Sequence, residues 1–258
     1  MRTGTGRTGT GRGGTGRGGT AQDDPGQDGT VQITTEGGPA LAEIDGDGAA
    51  ARFLLVLTHG AGGSAGAPDL LAARDAARAL GGLVARVTQP YLVRGARAPG
   101  SPARQDAAWA EVVTALRERT PGIPLIQGGR SNGARVACRT AAAVGARGVI
   151  ALAFPLCPPG RSPAVSRIAE LRAAREGGAR VLVVNGDRDP FGIPGAQDAD
   201  RVVVVPGETH ALRGHRAIIV AAVAEWLPTV LLKRCAVPEM ALWPGRKGIK
   251  RVARPGHR

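Results

Sequence analysis

The chain has 258 residues, 43% of them hydrophobic and only 3% aromatic, which suits one sizeable core packed from small aliphatic side chains. Three cysteines, Cys138, Cys157 and Cys235, are too few and too scattered for a disulfide framework, and no C-x-x-C pair or His-x-x-x-His spacing points to zinc. The formal net charge of +13 suggests nucleic acid until it is divided: residues 233–258 carry eight bases against Glu239, whereas residues 31–232 carry 22 bases against 17 acids. A mildly basic middle predicts no specific nucleic-acid partner. No apolar stretch approaches the roughly 18 residues of a membrane span, and the N-terminal arginines precede no apolar h-region. A cytoplasmic protein without a membrane partner is expected.

After Met1, residues 1–20 are a Thr-Gly-Arg repeat without a large apolar side chain. Such a segment cannot bury enough surface to offset its ordering entropy, so residues 1–30 are expected to form a disordered tail. The repeat also lacks the interleaved aromatics that stack on bases. Residues 31–45 are expected to supply an antiparallel edge. The run "ARFLLVLTHG" (51–60) has the continuous apolar character of a strand buried on both faces. Residues 68–80 follow as a helix with Pro68 at its first position. A strand over 83–90 is stopped by Pro90, and a helix over 104–119 gathers Trp109, Val112, Val113 and Leu116 on one side. Further strands are predicted at 124–129, 148–155, 179–186 and 201–207, and helices at 133–144, 163–176 and 215–227. Residues 233–258, with Pro238, Pro244 and Pro255, make a second, basic tail. Strands alternating with helices of this length predict an α/β domain over 31–232, with right-handed crossovers and a doubly wound, mostly parallel sheet.

In such a sheet ligands bind beyond the carboxyl ends of the strands. After strand 124–129 comes Ser131, inside Gly129-Arg130-Ser131-Asn132-Gly133, a G-x-S-x-G pattern. After strand 179–186 come Asp187 and Asp189, and after strand 201–207 comes His210. A hydroxyl, a carboxylate and an imidazole thus follow successive strands in the order Ser, Asp, His. Serine is a poor nucleophile near neutral pH and needs a base for its proton. Imidazole titrates in that range, and a carboxylate behind it fixes the tautomer. Pro190 holds the preceding residue extended, which favours Asp189 over Asp187 as that carboxylate. Asp187 is instead expected to cap the turn or pair with Arg188 or Arg130. An oxyanion hole needs the N–H of the residue after the nucleophile, Asn132, and another from the glycine-rich loop "THGAGGSAG" (58–66). Gly60, Gly62 and Ala65 of that loop also fit the dinucleotide fingerprint. The next strand, however, ends Val87-Thr88-Gln89-Pro90, without the acid a ribose would require, and no P-loop lysine follows.

The segments "THGAGG", "GGRSNGAR", "FPLCPPGRSP", "GDRDPFGIP" and "PGETHAL", spread over residues 51–227, resemble the α/β-hydrolase superfamily. More narrowly they resemble its dienelactone-hydrolase-like branch, related to testis-expressed and chromatin-complex hydrolase-like proteins. The resemblance implies Ser131 as nucleophile, Asp189 as acid, His210 as base, and Ala61 and Asn132 as oxyanion amides. It implies a small-molecule acyl substrate, an acyl-serine intermediate and no cofactor. Asn132 and Ala134 depart from residues common in that branch, but neither removes a group of the triad. The stretch from Phe154 to Val181 has room for one loop and one helix, so no lid domain is expected. Arg130 has two readings, a salt bridge to a neighbouring aspartate or contact with an anionic substrate group. Cys157, between prolines, reads as a buried small hydrophobe. The main rival to an esterase-like enzyme is a non-catalytic hydrolase-like scaffold with protein partners, and a second is a nucleic-acid binder working through the two tails.

Overall fold

The computed structural model describes residues 29–161 and 165–232. The expected tails, 1–30 and 233–258, lie outside the described residues, except that Gly29 and Thr30 open the first strand. Eight strands form one sheet: β1 (Gly29–Thr35), β2 (Gly38–Asp45), β3 (Phe53–Thr58), β4 (Gly82–Thr88), β5 (Leu125–Arg130), β6 (Gly148–Leu152), β7 (Arg180–Gly186) and β8 (Arg201–Val205). Their spatial order is β1-β2-β4-β3-β5-β6-β7-β8. The pairs β1/β2 and β2/β4 are antiparallel and all others parallel. Six helices complete the domain: α1 (Pro68–Ala79), α2 (Pro90–Val93), α3 (Pro102–Glu118), α4 (Asn132–Thr140), α5 (Ile168–Glu176) and α6 (Arg216–Leu231).

The period of two along each central strand divides the core. Leu54, Val56, Val149, Ala151, Val181 and Val183 face one way, onto α3, α4 and α5 residues such as Trp109, Val136 and Leu171. Phe53, Leu55, Leu57, Ile150, Leu152, Leu182 and Val184 face the other way, onto Leu70 and Ala73 of α1 and Val223 and Trp226 of α6. One polar side chain sits deep in the first layer without cost: Gln127 accepts from Trp109 Nε1 (2.8 Å) and donates to the Ala137 carbonyl (2.7 Å). Between β6 and β7 the described residues hold a loop and α5 only, so the fold carries no lid.

Several boundaries differ from the sequence expectation, each for a local reason. The N-terminal edge is a hairpin of two strands, because Gly38 takes φ 101° at its turn and Thr35 Oγ1 donates to the Gly38 carbonyl (2.7 Å). Pro90 ends β4 and also opens the short α2, where its fixed φ suits a first helical turn. Strand β6 stops at Leu152 because Ala153 turns to φ 46°. Helix α4 ends early, and Ala146 N–H returns to the Ala141 carbonyl around Gly145, at φ 64°. Helix α5 begins only at Ile168, because Arg167 is tied to the β6 loop through its amide to Leu156 O and its guanidinium to Pro155 O. Helix α6 runs past 227 through Pro228, whose ring removes one donor near the helix end while Leu232 N–H still reaches the Pro228 carbonyl.

Candidate active site

The turn from β5 to α4 is shaped by what cannot fit beside it. A Cβ at Gly129 would lie 2.6 Å from the Thr58 carbonyl oxygen and 2.7 Å from the Gly133 carbonyl carbon. One at Gly133 would lie 2.6 Å from both the Thr58 and His59 carbonyl oxygens. The end of β3 therefore approaches β5 and α4 closely only because the positions two residues either side of the serine are glycine. Ser131 itself sits at φ 52° and ψ −116°, a conformation costing a non-glycine residue about 1–3 kcal/mol. Its amide donates to the Leu152 carbonyl (2.9 Å), so the bend is anchored to β6. The pattern G-x-S-x-G is here a steric requirement.

Ser131 Oγ lies 2.9 Å from His210 Nε2, and His210 Nδ1 lies 2.9 Å and 3.1 Å from the two carboxylate oxygens of Asp189. The carboxylate accepts a hydrogen bond from Nδ1–H, which leaves Nε2 free to accept from the serine hydroxyl. Asp189 is buried and its orientation is over-determined. Phe191 N–H donates to Oδ1 (2.9 Å), and Asn185 Nδ2 donates to Oδ2 (3.2 Å). Asn185, at the end of β7, also exchanges two hydrogen bonds with the Phe154 backbone at the end of β6. The Phe191 ring packs on the imidazole at a centroid distance of 4.3 Å. Asp187, by contrast, is exposed. Of the roles expected for Asp187, pairing with Arg130 is corrected: Arg130 Nε donates to the wholly buried Asp69 carboxylate (2.8 Å) and Nη2 to the His210 carbonyl (2.7 Å). Arg130 is thus engaged twice within the fold, which answers the choice between a salt bridge and a substrate anion in favour of the bridge.

The loop after β3 crosses directly over the serine. A Cβ at Gly60 would stand 3.1 Å from Ser131 Cβ. The loop starts from a rigid base, because buried His59 donates from Nδ1 to the Gly60 carbonyl (2.8 Å) and accepts the Gln89 N–H at Nε2 (3.0 Å). Burial pushes the His59 pKa below its ordinary value, so the ring serves as a neutral strut. Ala61 is exposed in this loop and Asn132 is half-buried at the first turn of α4. Neither amide is used in the backbone hydrogen bonds of the turns around it. The Asn132 side chain donates to Gln105 Oε1 (2.7 Å), which ties the elbow to α3.

The loop after β8 is organised by Glu208. Its carboxylate accepts from the amides of Arg213, Gly214 and His215 and from the His215 ring. Burial alone would raise its pKa, but the His215 hydrogen bond and the three amides together hold the carboxyl below its ordinary value. The structure brings together Ser131, Asp189 and His210, the three residues that the sequence order grouped. The sequence reading missed Asn185, Asp69, Glu208 and Gln105, which hold them or their surroundings. Asp69 reads as an ordinary acid in a helix first turn, and Glu208 as a polar loop residue. Cys157, expected to be buried, is half-buried, with Sγ 3.8 Å from the Arg161 carbonyl. Cys138 is the fully buried one, and burial pushes its thiol well above the usual range. Among the described residues no group of His, Cys, Asp and Glu is arranged to hold a metal, and no helix is long and apolar enough to cross a membrane.

Residues 51–203 match the family model of the alpha/beta hydrolase domain. The fold is shared with Est1E from Butyrivibrio proteoclasticus, at 17% identity, covering 80% of this chain and 100% of that one, TM-score 0.62. It is shared with a protein from Xanthomonas campestris described as a serine hydrolase without lid, at 22% identity, covering 78% and 95%, TM-score 0.57. Dienelactone hydrolase from Anabaena variabilis superposes at 14% identity, covering 80% and 99%, TM-score 0.61. None of the curated proteins matches the chain in sequence. Likeness at these identities carries the fold alone, but the family model spans more than half of the sequence. The chain belongs to the alpha/beta hydrolase domain family.

Proposed function

We propose that the protein is a serine hydrolase that cleaves a small ester, thioester or related acyl compound through an acyl-Ser131 intermediate. The observation that carries this reading is the continuous hydrogen-bonded path from Ser131 Oγ through His210 to Asp189, built on a serine that the turn holds at positive φ. In the first half-reaction Ser131 Oγ bonds to the acyl carbon while its proton passes to His210 Nε2. Charge on the carbonyl oxygen falls to the Ala61 and Asn132 amides, and Asp189 stabilises the imidazolium. The tetrahedral adduct collapses, the bond to the leaving oxygen or sulfur breaks, and His210 returns the proton to it. Water then attacks the acyl-serine with His210 again as base, releasing the acid and free Ser131. Every step uses side chains and amides of this chain, so the reading calls on no cofactor.

A cavity of about 620 Å³ lies between the β1–β2 turn, α2 and the start of α3. Gln105, which lines it, is the residue bonded to Asn132. Because the fold has no lid to enclose a long chain, short acyl esters should turn over faster than esters of about 12 carbons or more. The narrower kinship, with the dienelactone-hydrolase-like branch and its testis-expressed and chromatin-complex relatives, rests on the five sequence segments alone. A domain bounded near residues 31 and 232, a cytoplasmic setting and a substrate that is neither nucleic acid nor lipid bilayer belong to the same proposal.

The test is covalent labelling. A fluorophosphonate should modify the wild-type protein at Ser131 and leave Ser131→Ala unmodified, and a panel of short-chain esters should be hydrolysed only by the former. Labelling that survives in Ser131→Ala ends the nucleophile assignment. Wild-type protein that is neither labelled nor active on any acyl compound favours the non-catalytic scaffold.

A further inference from the structure

A base that must meet a serine at hydrogen-bond distance has to be held at both its ring and its backbone, and Asp189 holds only the ring. We propose that Arg130 is a positioning residue that fixes the backbone of His210, with Asp69 as its buried anchor. This inference rests on the acyl-Ser131 reading for its catalytic consequence.

Arg130 is the last residue of β5, where it pairs with Leu152 of β6, so its Cα is as fixed as the sheet. Its guanidinium then reaches two other parts of the fold. Nε donates to Asp69 Oδ2 at 2.8 Å, and Nη2 donates to the His210 carbonyl at 2.7 Å. Asp69 is fixed in turn in the first turn of α1, where its other oxygen accepts the Leu70 N–H (2.9 Å), and its side chain is 0% exposed. A guanidinium presents its donors in one rigid plane, so a grip on Asp69 fixes the direction of the remaining N–H groups. The residue beside the serine thereby carries the position of the elbow and of α1 across to the loop between β8 and α6.

That loop needs such a tether. Its other strong anchor, Glu208, grips residues 213 to 215 and makes no bond to His210. Thr209 beside the histidine is exposed. With Asp189 on Nδ1 and Arg130 on the carbonyl, the His210 peptide and ring are both located. An ordinary buried ion pair would require only Arg130 and Asp69. The second bond of Arg130, to the backbone carbonyl of the base, is what an ion pair serving packing alone does not need.

The experiment compares wild type, Arg130→Lys and the double variant Asp69→Asn with Arg130→Met. Lysine keeps a charge beside Asp69 but has no second nitrogen for the carbonyl. The double variant removes both charges, so no unpaired carboxylate is stranded in the core if the lysine variant folds poorly. Each protein is read by melting temperature, by kcat and KM on a short ester, and by NMR with ¹⁵N-labelled histidine. The chain has four histidines, and His59 serves as internal control because Gly60 and Gln89 hold its ring. The expected result is a folded variant whose kcat falls about 10- to 100-fold, as for a misplacement near 1 Å, with KM within about threefold. His210 ring signals should broaden or shift while those of His59 stay. Unchanged His210 signals and wild-type kcat in a folded variant overturn the tether. So does an equal disturbance of His59 and His210 with a large drop in melting temperature in both variants, which marks a general packing role. If wild type is not labelled at Ser131 but His210 still responds to Arg130→Lys, the hydrolase reading falls and the tether stands. If wild type is labelled and His210 is indifferent, only the tether falls.

Discussion

The two sides of the candidate site are held by different kinds of force. The serine side is backbone against backbone: Gly129 and Gly133 leave no room for a methyl group between β3, β5 and α4, and Ser131 is pushed to φ 52° by that closeness. The histidine side adds side chain against backbone: Asp189, Arg130 and Glu208 hold a loop whose Glu208 and Thr209 carbonyls also lie close against Gly186. A steric device fails completely when one atom is added, whereas a set of hydrogen bonds fails by degrees as members are removed. Substitutions on the two sides should therefore differ in size and in character.

The largest expected effect is on the histidine side, at the group that touches the ring. Asp189→Asn keeps the shape but offers Nδ1 an amide in place of a carboxylate, and can favour the wrong tautomer. Turnover should fall by about 10⁴, with little change in melting temperature. Measured kcat within tenfold of wild type would remove Asp189 from its assigned role.

Next comes the serine side. Gly133→Ala places a Cβ 2.6 Å from two carbonyl oxygens of the backbone around His59. Those atoms belong to the end of a central strand and cannot yield cheaply. The expected outcome is at least a 10²-fold loss of fluorophosphonate labelling rate, together with a lower melting temperature. A variant that labels and melts like wild type would show that the elbow is looser than its glycines imply.

That contrast also explains how much was legible in the sequence. Steric devices write themselves as residue types at fixed spacing, so Gly129, Ser131 and Gly133 could be read directly, as could the apolar runs of β3 to β8. The order Ser, Asp, His after successive strands then located Asp189 and His210. Long-range hydrogen bonds leave no such mark. Arg130 to Asp69 spans 61 positions and Arg130 to His210 spans 80, and an acid in a first turn looks the same whether or not an arginine meets it. The helix ends were misjudged for a related reason: α5 starts late because Arg167 is drawn to Pro155 and Leu156, contacts that no local pattern predicts.

A smaller, graded effect is expected at Glu208. Glu208→Gln replaces a charged acceptor of three amides by one that is neutral and half donor. Stability should fall by about 2 kcal/mol, or roughly 4–8 °C in Tm, and kcat by about tenfold or less, since His210 keeps both its own anchors, Asp189 and Arg130. The acid limb carries the sign. The folded-state pKa of Glu208 is depressed, so its contribution is fully present above the ordinary carboxylate value and is lost as pH falls through the lower folded value. Wild type should therefore lose stability on acidification in that window, and Glu208→Gln should lose less of it. Parallel acid-unfolding curves for the two proteins would count against Glu208 as the organiser of the loop.

The smallest effect belongs to Asp187, two residues from Asp189 and in the same turn. Its amide is used, donating to the Val205 carbonyl (3.1 Å), but the residue is exposed, and Arg130, one of the two cations suggested for it, is occupied by Asp69. Asp187→Asn preserves the amide and removes only a solvated charge, a change worth less than about 0.5 kcal/mol at such a surface position. Turnover should stay within about threefold of wild type and the pH profile should keep its shape. The pair of neighbouring variants then isolates the cause. Both remove one negative charge from the same turn, so a general field effect would move both. A difference of several orders of magnitude between Asp189→Asn and Asp187→Asn can come only from the bond to His210 Nδ1. Comparable losses in both would show that the turn supplies diffuse charge and that the 2.9 Å contact is incidental.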